Sequence, residues 1–191
     1  MKSFKVVCLV LVLVAILSLS TKTYAQELMM EEESISTDTP KVEKINYNMP
    51  YPGLLPGNPL YNLKVLRDKI VSTLISDSLK KASFDLLASD KRANAATFLF
   101  DKNKNDIAID TLSKSNNYFD DAIVNIEKAK KMNEDIQPLL EQMKQSIRKH
   151  QEIISPYEKK LSGKNKKALT HEIMRMKKFE KSVNNLFPHS K

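Results

Sequence analysis

The stretch Pro50-Tyr-Pro-Gly-Leu-Leu-Pro-Gly-Asn-Pro-Leu-Tyr-Asn-Leu-Lys-Val-Leu-Arg-Asp-Lys69 divides the chain into two parts of different character. It holds four of the eight prolines and two of the three glycines. Prolines fix their own φ and push the preceding residue into extended conformations, whereas Gly53 and Gly57 permit sharp turns. Asn58-Pro59 is typical of a helix start, with Asn as N-cap and Pro at the first helical position. We therefore expect a domain boundary here, followed by helices.

Apolar residues recur at helical spacing throughout the chain after this stretch, and no segment alternates with the period of two that indicates a strand. Helices are expected over residues 59–76, 77–100, 107–132 and 165–186, with another starting at Asn133 or Asp135. Short polar turns between long helices favour antiparallel hairpins. The predicted fold class is all-α, an extended antiparallel bundle of about five helices built from long helical hairpins.

The segment Ser155-Pro156-Tyr-Glu158 has the pattern of a helix restart. Ser is a common N-cap, Pro is favoured just after it, and Glu three residues on completes a capping box. We expect a kink or break near Ser155, with a short helical piece ending at Gly163.

The first 25 residues have the three parts of a secretory signal peptide. Lys2 and Lys5 precede the apolar run 6–20, and small residues follow it at Thr23 and Ala25. We expect cleavage after Ala25. The alternative is an uncleaved membrane tether, since the run is only slightly shorter than the roughly 20 residues that span a bilayer. In both cases the protein is expected to be secreted or otherwise extracytoplasmic.

Residues 26–49 are polar, acidic and aperiodic, and such a segment cannot bury enough apolar area to offset its ordering entropy. The domain organisation follows from these assignments. It is a signal peptide at 1–25, a disordered acidic linker at 26–49, a helical domain at 50–187 and a tail at 188–191.

Composition argues against most catalytic classes. The one cysteine, Cys8, lies in the apolar run, so its removal with the signal leaves no thiol for a disulfide, a nucleophile or a zinc site. No metalloprotease, hydrolase or phosphate-loop motif is present. We expect no enzymatic activity, no catalytic residues and no cofactor.

Basic residues concentrate near the C-terminus of a chain whose formal net charge is +8. This end fits an anionic lipid surface or cell-envelope polymer, and the alternative is a solvated lysine-rich helix face. Aromatics for base stacking are nearly lacking, which argues against sequence-specific nucleic-acid binding. The candidate contact residues are Lys159, Lys160, Lys164, Lys166, Lys167, Lys177 and Lys178.

His171 and Met174 share one face of the last predicted helix, and Met176 is a further soft donor nearby. Such donors suit copper or a similar metal. The alternative, which we favour, is that the methionines fill gaps in the core and His171 is a surface residue, so that no metal site exists.

The segment Pro52-Gly-Leu-Leu-Pro-x-x-Pro-Leu-Tyr-x-Leu-Lys64 resembles the opening motif PG-x-LP-x-S-P-x-Y-x-LK of an uncharacterised family of exported bacterial and archaeal proteins, a domain of unknown function. Asp90-Lys-Arg-Ala93 and His150-Gln-Glu-Ile-Ile154 are similar to later steps of that family. Gly57-Asn58 stands where the family has Asp-Ser, and Asn94 stands where it has an acid. The resemblance implies a secreted or anchored helical domain and brings no known activity.

The motif is expected to be structural, with its apolar members folded back as a clasp on the end of the bundle. Its residues are Pro52, Gly53, Leu55, Pro56, Pro59, Tyr61 and Lys64. The function expected for the whole chain is that of an exported, non-enzymatic helical domain whose partner is a protein or an anionic envelope polymer or lipid surface. The alternative is a periplasmic helical chaperone or metal-stress sensor.

Overall fold

The computed structural model describes residues 45–187, within which the chain forms five helices and no strand. The helices are α1 (Tyr61–Leu74), α2 (Ser78–Asp101), α3 (Asn105–Lys131), α4 (Gln137–Lys160) and α5 (Gly163–Leu186). The prediction of an all-α antiparallel bundle with five helices is confirmed. The predicted signal peptide, the predicted linker up to residue 44 and the tail 188–191 lie outside the described residues.

Four of the helices enclose one apolar core. The hairpin α2–α3 packs against the hairpin α4–α5, so that α2 lies beside α4 and α3 lies beside α5. Phe119 stacks on Phe179 with ring centroids 5.4 Å apart, and Phe100 stacks on Tyr157 at 4.6 Å. The largest fully buried apolar side chains are Leu86, Leu99, Leu112, Phe119, Ile126, Leu140, Met143, Ile147, Ile154, Leu169 and Met176. These residues repeat at the helical period that the sequence shows.

The two hairpin partners α2 and α3 approach closely because small residues line their contact. Ala93, Ala96 and Ala122 are completely buried. Ser89 Oγ lies 3.1 Å from Ser115 Oγ across the interface, and the Ser115 hydroxyl also donates to the Ser89 carbonyl. Interaxial distance falls as the side chains at a helix contact become smaller.

Asparagines in the left-handed region end both α2 and α3. Asn103 has φ +55° and Asn133 has φ +58°. After α2, Asn103 N–H donates to the Phe100 carbonyl and Lys104 N–H donates to the Leu99 carbonyl. These two hydrogen bonds are the pair that defines a Schellman motif. Asn133 is thus a helix stop, and the prediction that it starts the next helix was wrong. Asp135, the other proposed start, accepts from Gln137 N–H through Oδ1 at 3.2 Å.

No break occurs at Ser155-Pro156, because α4 continues through Pro156 to Lys160. The Ser155 hydroxyl donates back to the Gln151 carbonyl instead of capping a new helix. Ile154 is fully buried and Tyr157 stacks on Phe100, so packing on both sides of the proline holds the helical register. The missing N–H removes one bond near the end of the helix, a smaller loss than unpacking those two side chains.

The first helix begins two residues later than Pro59, the position that the sequence suggests. Asn58 Oδ1 accepts from Leu60 N–H at 2.9 Å, and α1 starts at Tyr61. Asp77 is the N-cap of α2, since its side chain accepts from Lys80 N–H at 2.8 Å. Unlike the other four helices, α1 has no buried residue.

Candidate functional site

The strongest candidate for a functional surface is the solvent-facing side of α1. Large aliphatic residues follow one another here at helical spacing and are between 39% and 76% exposed. We call this set the outward stripe; it comprises Leu60, Leu63, Leu66, Ile70, Val71 and Leu74. Contiguous apolar surface of this kind marks an interaction site far more often than isolated exposed leucines do.

The opposite face of α1, which meets the bundle, is polar. Lys64 Nζ donates to the Pro52 carbonyl at 2.7 Å, and Lys81 Nζ on α2 donates to the Ser72 carbonyl at 2.9 Å. Asp68 Oδ2 lies 3.9 Å from the guanidinium of Arg92 on α2. Polar contacts therefore fix the orientation of α1, and the outward stripe stays in solvent because the inner face is the one that finds partners.

Arg92 ties α1 to the hairpin behind it. Its guanidinium lies 4.1 Å from the centroid of the Tyr118 ring on α3, and it donates to the Ala88 carbonyl at 3.0 Å. Only 9% of its side chain is exposed. A buried guanidinium needs this combination of ring, carbonyl and carboxylate, so the three groups are expected to act as one unit.

A polar cleft of about 530 Å³ separates part of α1 from α2 and α3. Ammonium and carboxylate groups both line it, including Lys69, Lys81, Lys128 and Asp121. Burial raises the pKa of Asp85, at its floor, to about 6, although Asn125 Nδ2 donates to this carboxylate at 2.9 Å. The cleft contains both signs of charge and does not select one class of ligand.

The motif leads into α1, and its last two members, Tyr61 and Lys64, belong to that helix. Pro52 is buried, and Gly53 has φ +68°, a conformation that favours glycine. The other motif residues are more exposed to solvent than Pro52. Pro59 is exposed, and the half-buried ones are Leu55, Pro56, Tyr61 and Lys64. Within the motif, the Lys64 ammonium donates to the Pro52 carbonyl at 2.7 Å.

Residues 45–50, at the end of the predicted linker and the start of the domain, contact α2 and α4. Ile45 N–H donates to Glu152 Oε2 at 3.1 Å, and Asn94 Nδ2 donates to the Pro50 carbonyl at 3.0 Å. Between them the Tyr47 hydroxyl donates to Asp90 Oδ2 at 2.5 Å. Burial, with Asp90 adding to it, raises the pKa of Tyr47, so the phenol stays protonated and donates.

Beneath Tyr47 lies a buried polar cluster that the sequence analysis did not predict. Asp90 Oδ1 accepts from Ser146 Oγ at 2.5 Å and lies 2.8 Å from His150 Nε2. His150 Nδ1 is buried without a partner among the described atoms. A proton on Nδ1 would be an unsatisfied buried donor, so the hydrogen-bond geometry favours a proton on Nε2, where it donates to Asp90.

Ser, His and Asp are also the residue types of a hydrolase triad, but this geometry differs from one. The Ser146 hydroxyl is committed to Asp90, and its distance to His150 Nε2 is 3.4 Å. Ser146 and His150 are completely buried, so a substrate does not reach them. The cluster joins α2, α4 and the segment 45–50, which is a structural role.

The metal candidates lie on the exposed face of α5. His171 is 72% exposed in its side chain and Met174 is 56% exposed, whereas Met176 is fully buried in the core. Lys167 and Lys178 occupy positions four residues before His171 and four after Met174, on the same helical face. Across residues 45–187 no cluster of three or more His, Cys, Asp or Glu side chains has metal-binding geometry.

All seven lysine candidates are exposed. Lys159 and Lys160 end α4, where positive charge complements the helix dipole. Lys164, Lys166 and Lys167 follow in the first turns of α5, which has no acidic residue in its first turn. One end of the bundle is therefore strongly basic, and Lys177 and Lys178 extend this character along α5.

A search of the described helices finds none long and apolar enough to cross a membrane. A protein-family model described as "Domain of unknown function (DUF5667)" matches residues 53–185. Neither the curated proteins nor the solved structures yielded a match. The matched range starts at Gly53, inside the motif, and covers the five helices up to the residue before Leu186, the last residue of α5.

Proposed function

The chain belongs to the DUF5667 family, and from that premise we propose that it is an exported, non-enzymatic helical domain that docks on a component of the cell envelope through the outward stripe. The single observation that carries this proposal is the orientation of α1. This helix carries five of the six stripe residues, with the sixth at its N-cap, and it turns its polar side to the bundle and its apolar side to solvent. Fully burying each such side chain is worth about 1.5–3 kcal/mol, which is available to whatever covers the stripe.

The bundle behind α1 supports this proposal as a rigid platform. Its apolar core spans all four long helices, and the buried cluster at Asp90 adds hydrogen bonds between α2 and α4. A docking element on a well-packed scaffold loses little entropy on binding, because only its partner has to be ordered.

The basic end formed by α4 and α5 gives the proposal an electrostatic component. The seven exposed lysines create a field that attracts anionic envelope polymers or lipid headgroups and speeds their encounter with the protein. Charge of this kind changes association rate and salt dependence more than it fixes a bound pose, so the stripe is assigned the docking step.

A photo-crosslinking residue in place of Leu66 tests this function in intact cells. Benzophenone side chains react with C–H bonds of both proteins and lipids, so either kind of partner is trapped. We expect a product from position 66 and none from position 174, where Met174 is equally exposed, at 56%, on the far side of the bundle core. Absence of any product at position 66 would contradict the proposal.

A second candidate is a periplasmic helical chaperone, which the same stripe favours because non-native polypeptides expose apolar segments. It predicts that the protein suppresses aggregation of an unfolded client, and that Ile70→Glu abolishes the effect. A metal-stress sensor is less well supported, since His171 Nδ1 lies 3.3 Å from Glu172 Oε1 but no group of three or more His, Cys, Asp or Glu side chains in residues 45–187 could hold a metal.

A further inference from the structure

We infer that the outward stripe of α1 docks on an anionic lipid bilayer, with α1 lying parallel to the membrane surface. This inference rests on the proposed function, because it names what covers the same face. The argument uses the shape of the stripe, the placement of charge around it, and the position of Arg67 within it.

The shape of the stripe suits the interfacial region of a bilayer. α1 has 14 residues, so it is about 21 Å long. Its exposed apolar side chains are all aliphatic, and they form a convex ridge along the helix instead of a pocket. Interfacial helices bury such a ridge roughly 5–10 Å deep, at the boundary of headgroups and acyl chains.

The charged side chains of α1 differ in their exposure to solvent. The one carboxylate of the helix, Asp68, has only 13% of its side chain exposed. Its Oδ1 accepts from the Arg67 guanidinium at 2.8 Å, and its Oδ2 lies 3.9 Å from the Arg92 guanidinium. Arg67 is exposed within the stripe, and Lys69 is exposed at its edge. The face presented to a partner thus carries apolar and cationic groups without an outward carboxylate, the combination that anionic headgroups attract.

Arg67 distinguishes a bilayer from a second copy of the chain. It lies midway between Leu60 and Leu74, and 68% of its side chain is exposed. A symmetric helix pair through the stripe would bring the two Arg67 guanidinium groups together at its centre, where like charges are unfavourable. In the structure the Arg67 guanidinium donates to Asp68 Oδ1 at 2.8 Å and is otherwise open to solvent. At a bilayer the side chain keeps its methylenes on the apolar layer while the outer side of the guanidinium reaches a lipid phosphate.

The predicted signal peptide fits the same picture. Whether cleaved or retained, the apolar run 6–20 is expected to bring the chain to a membrane during export. The described part of the chain has no membrane-crossing helix of its own, so a surface helix is the kind of membrane contact that it can make.

A tryptophan reporter tests the inference directly, because the chain has no tryptophan. The full chain carrying Leu66→Trp is mixed with vesicles of phosphatidylcholine and phosphatidylglycerol, and a matched protein carries Met174→Trp. We expect a blue shift and higher emission for Leu66→Trp alone, reduced by high salt and weaker with phosphatidylcholine vesicles. Unchanged emission at position 66 would overturn the inference.

Vesicle flotation with substituted full chains gives an independent readout. Ile70→Glu and Met174→Glu replace side chains of similar exposure, 53% and 56%, and every variant keeps the same N-terminal apolar run. We expect Ile70→Glu to lower the partition constant about tenfold or more, and Met174→Glu to leave it near the wild-type value. Equal binding by the two variants would overturn the inference.

Sedimentation in the absence of lipid identifies the other occupant. A wild-type dimer that Ile70→Glu converts to a monomer would assign the stripe to a second copy and overturn the bilayer inference. A protein cross-link at position 66 combined with unchanged Leu66→Trp emission would also overturn it, while leaving the docking function intact.

Discussion

Asp68 on α1 and Arg92 on α2 form one of the polar contacts that turn the apolar side of α1 to solvent. Their side chains are 13% and 9% exposed, and Asp68 Oδ2 lies 3.9 Å from the Arg92 guanidinium. The guanidinium of Arg92 is held in place by the ring of Tyr118 on α3. The α2–α3 hairpin therefore helps to set the orientation of α1. The orientation of α1 on the bundle is therefore set by contacts of its polar face and not by burial of its apolar face.

Removing this contact should loosen α1 without unfolding the bundle. For Asp68→Ala we expect faster amide exchange across α1 and a small loss of global stability, about 1 kcal/mol or less, because α1 has no buried residue. Exchange in α3 should be unaffected. Asp110→Ala, which breaks the exposed Lys114 pair, is the control and should change neither region. Unaltered exchange in α1 would show that Asp68 does not orient the helix.

The buried cluster should be among the most sensitive positions of the bundle. Asp90→Ala removes the acceptor of Ser146, His150 and Tyr47 together, and we expect a loss of about 3–5 kcal/mol in the free energy of unfolding. Tyr47→Phe keeps the ring and removes one donor, so about 1–2 kcal/mol is expected. Urea denaturation measures both. A loss below 1 kcal/mol for Asp90→Ala would contradict the assigned network.

The raised pKa of Asp85 gives stability a pH dependence of definite sign. The folded pKa of about 6 exceeds the ordinary value of 3.8, so between these two values the folded state binds more protons than the unfolded one. Stability should therefore fall as pH rises from about 4 to 6, where this group alone is considered. Asp85→Asn should flatten that slope and stabilise the protein at pH 7 by about 1–2 kcal/mol, less than the full shift implies because the cleft admits water. A steeper slope for the variant would contradict this account.

Added copper or zinc should leave the thermal stability of the protein unchanged. Because the described residues hold no group of three or more His, Cys, Asp or Glu side chains that could bind a metal, we expect copper or zinc titration not to raise the melting temperature. A rise that disappears in His171→Ala would revive the metal-sensor alternative.

Reversing the charge of lysines at the basic end of the bundle should lower the rate of association with anionic vesicles more than it weakens the bound state. The triple substitution Lys164→Glu, Lys166→Glu and Lys167→Glu is expected to slow association with anionic vesicles at low salt and to have little effect at high salt. Stopped-flow energy transfer measures the rate. No change at low salt would mean that these lysines form only a solvated helix face.

Much of the bundle follows from sequence because helical periodicity marks which residues share a face. Leu86, Phe119 and Ile147 occupy predicted apolar positions and are buried in the core. Periodicity has less to say about helix ends. Asn133 is equally typical of an N-cap and of a left-handed stop, and Pro156 is tolerated only because Ile154 and Tyr157 are packed around it.

The candidate site was less accessible from sequence. An amphipathic helix is expected to turn its apolar face inward, and the signal against this in α1 was the opposite face, where Lys64, Asp68 and Ser72 share one side. Asp90 and His150 are 60 residues apart, so their contact depends on how α2 meets α4. Their positions among buried leucines, isoleucines and alanines were the available sign that both are internal.

The docking claim is tested most directly by the depth of a nitroxide at position 70 in the full chain. Its collision rates with oxygen and with a water-soluble nickel complex are measured with and without phosphatidylglycerol-containing vesicles, and a nitroxide at position 174 is the reference. The account predicts that vesicles raise oxygen accessibility and lower nickel accessibility at position 70 only. Equal, water-like accessibility at both positions in the presence of vesicles would contradict it.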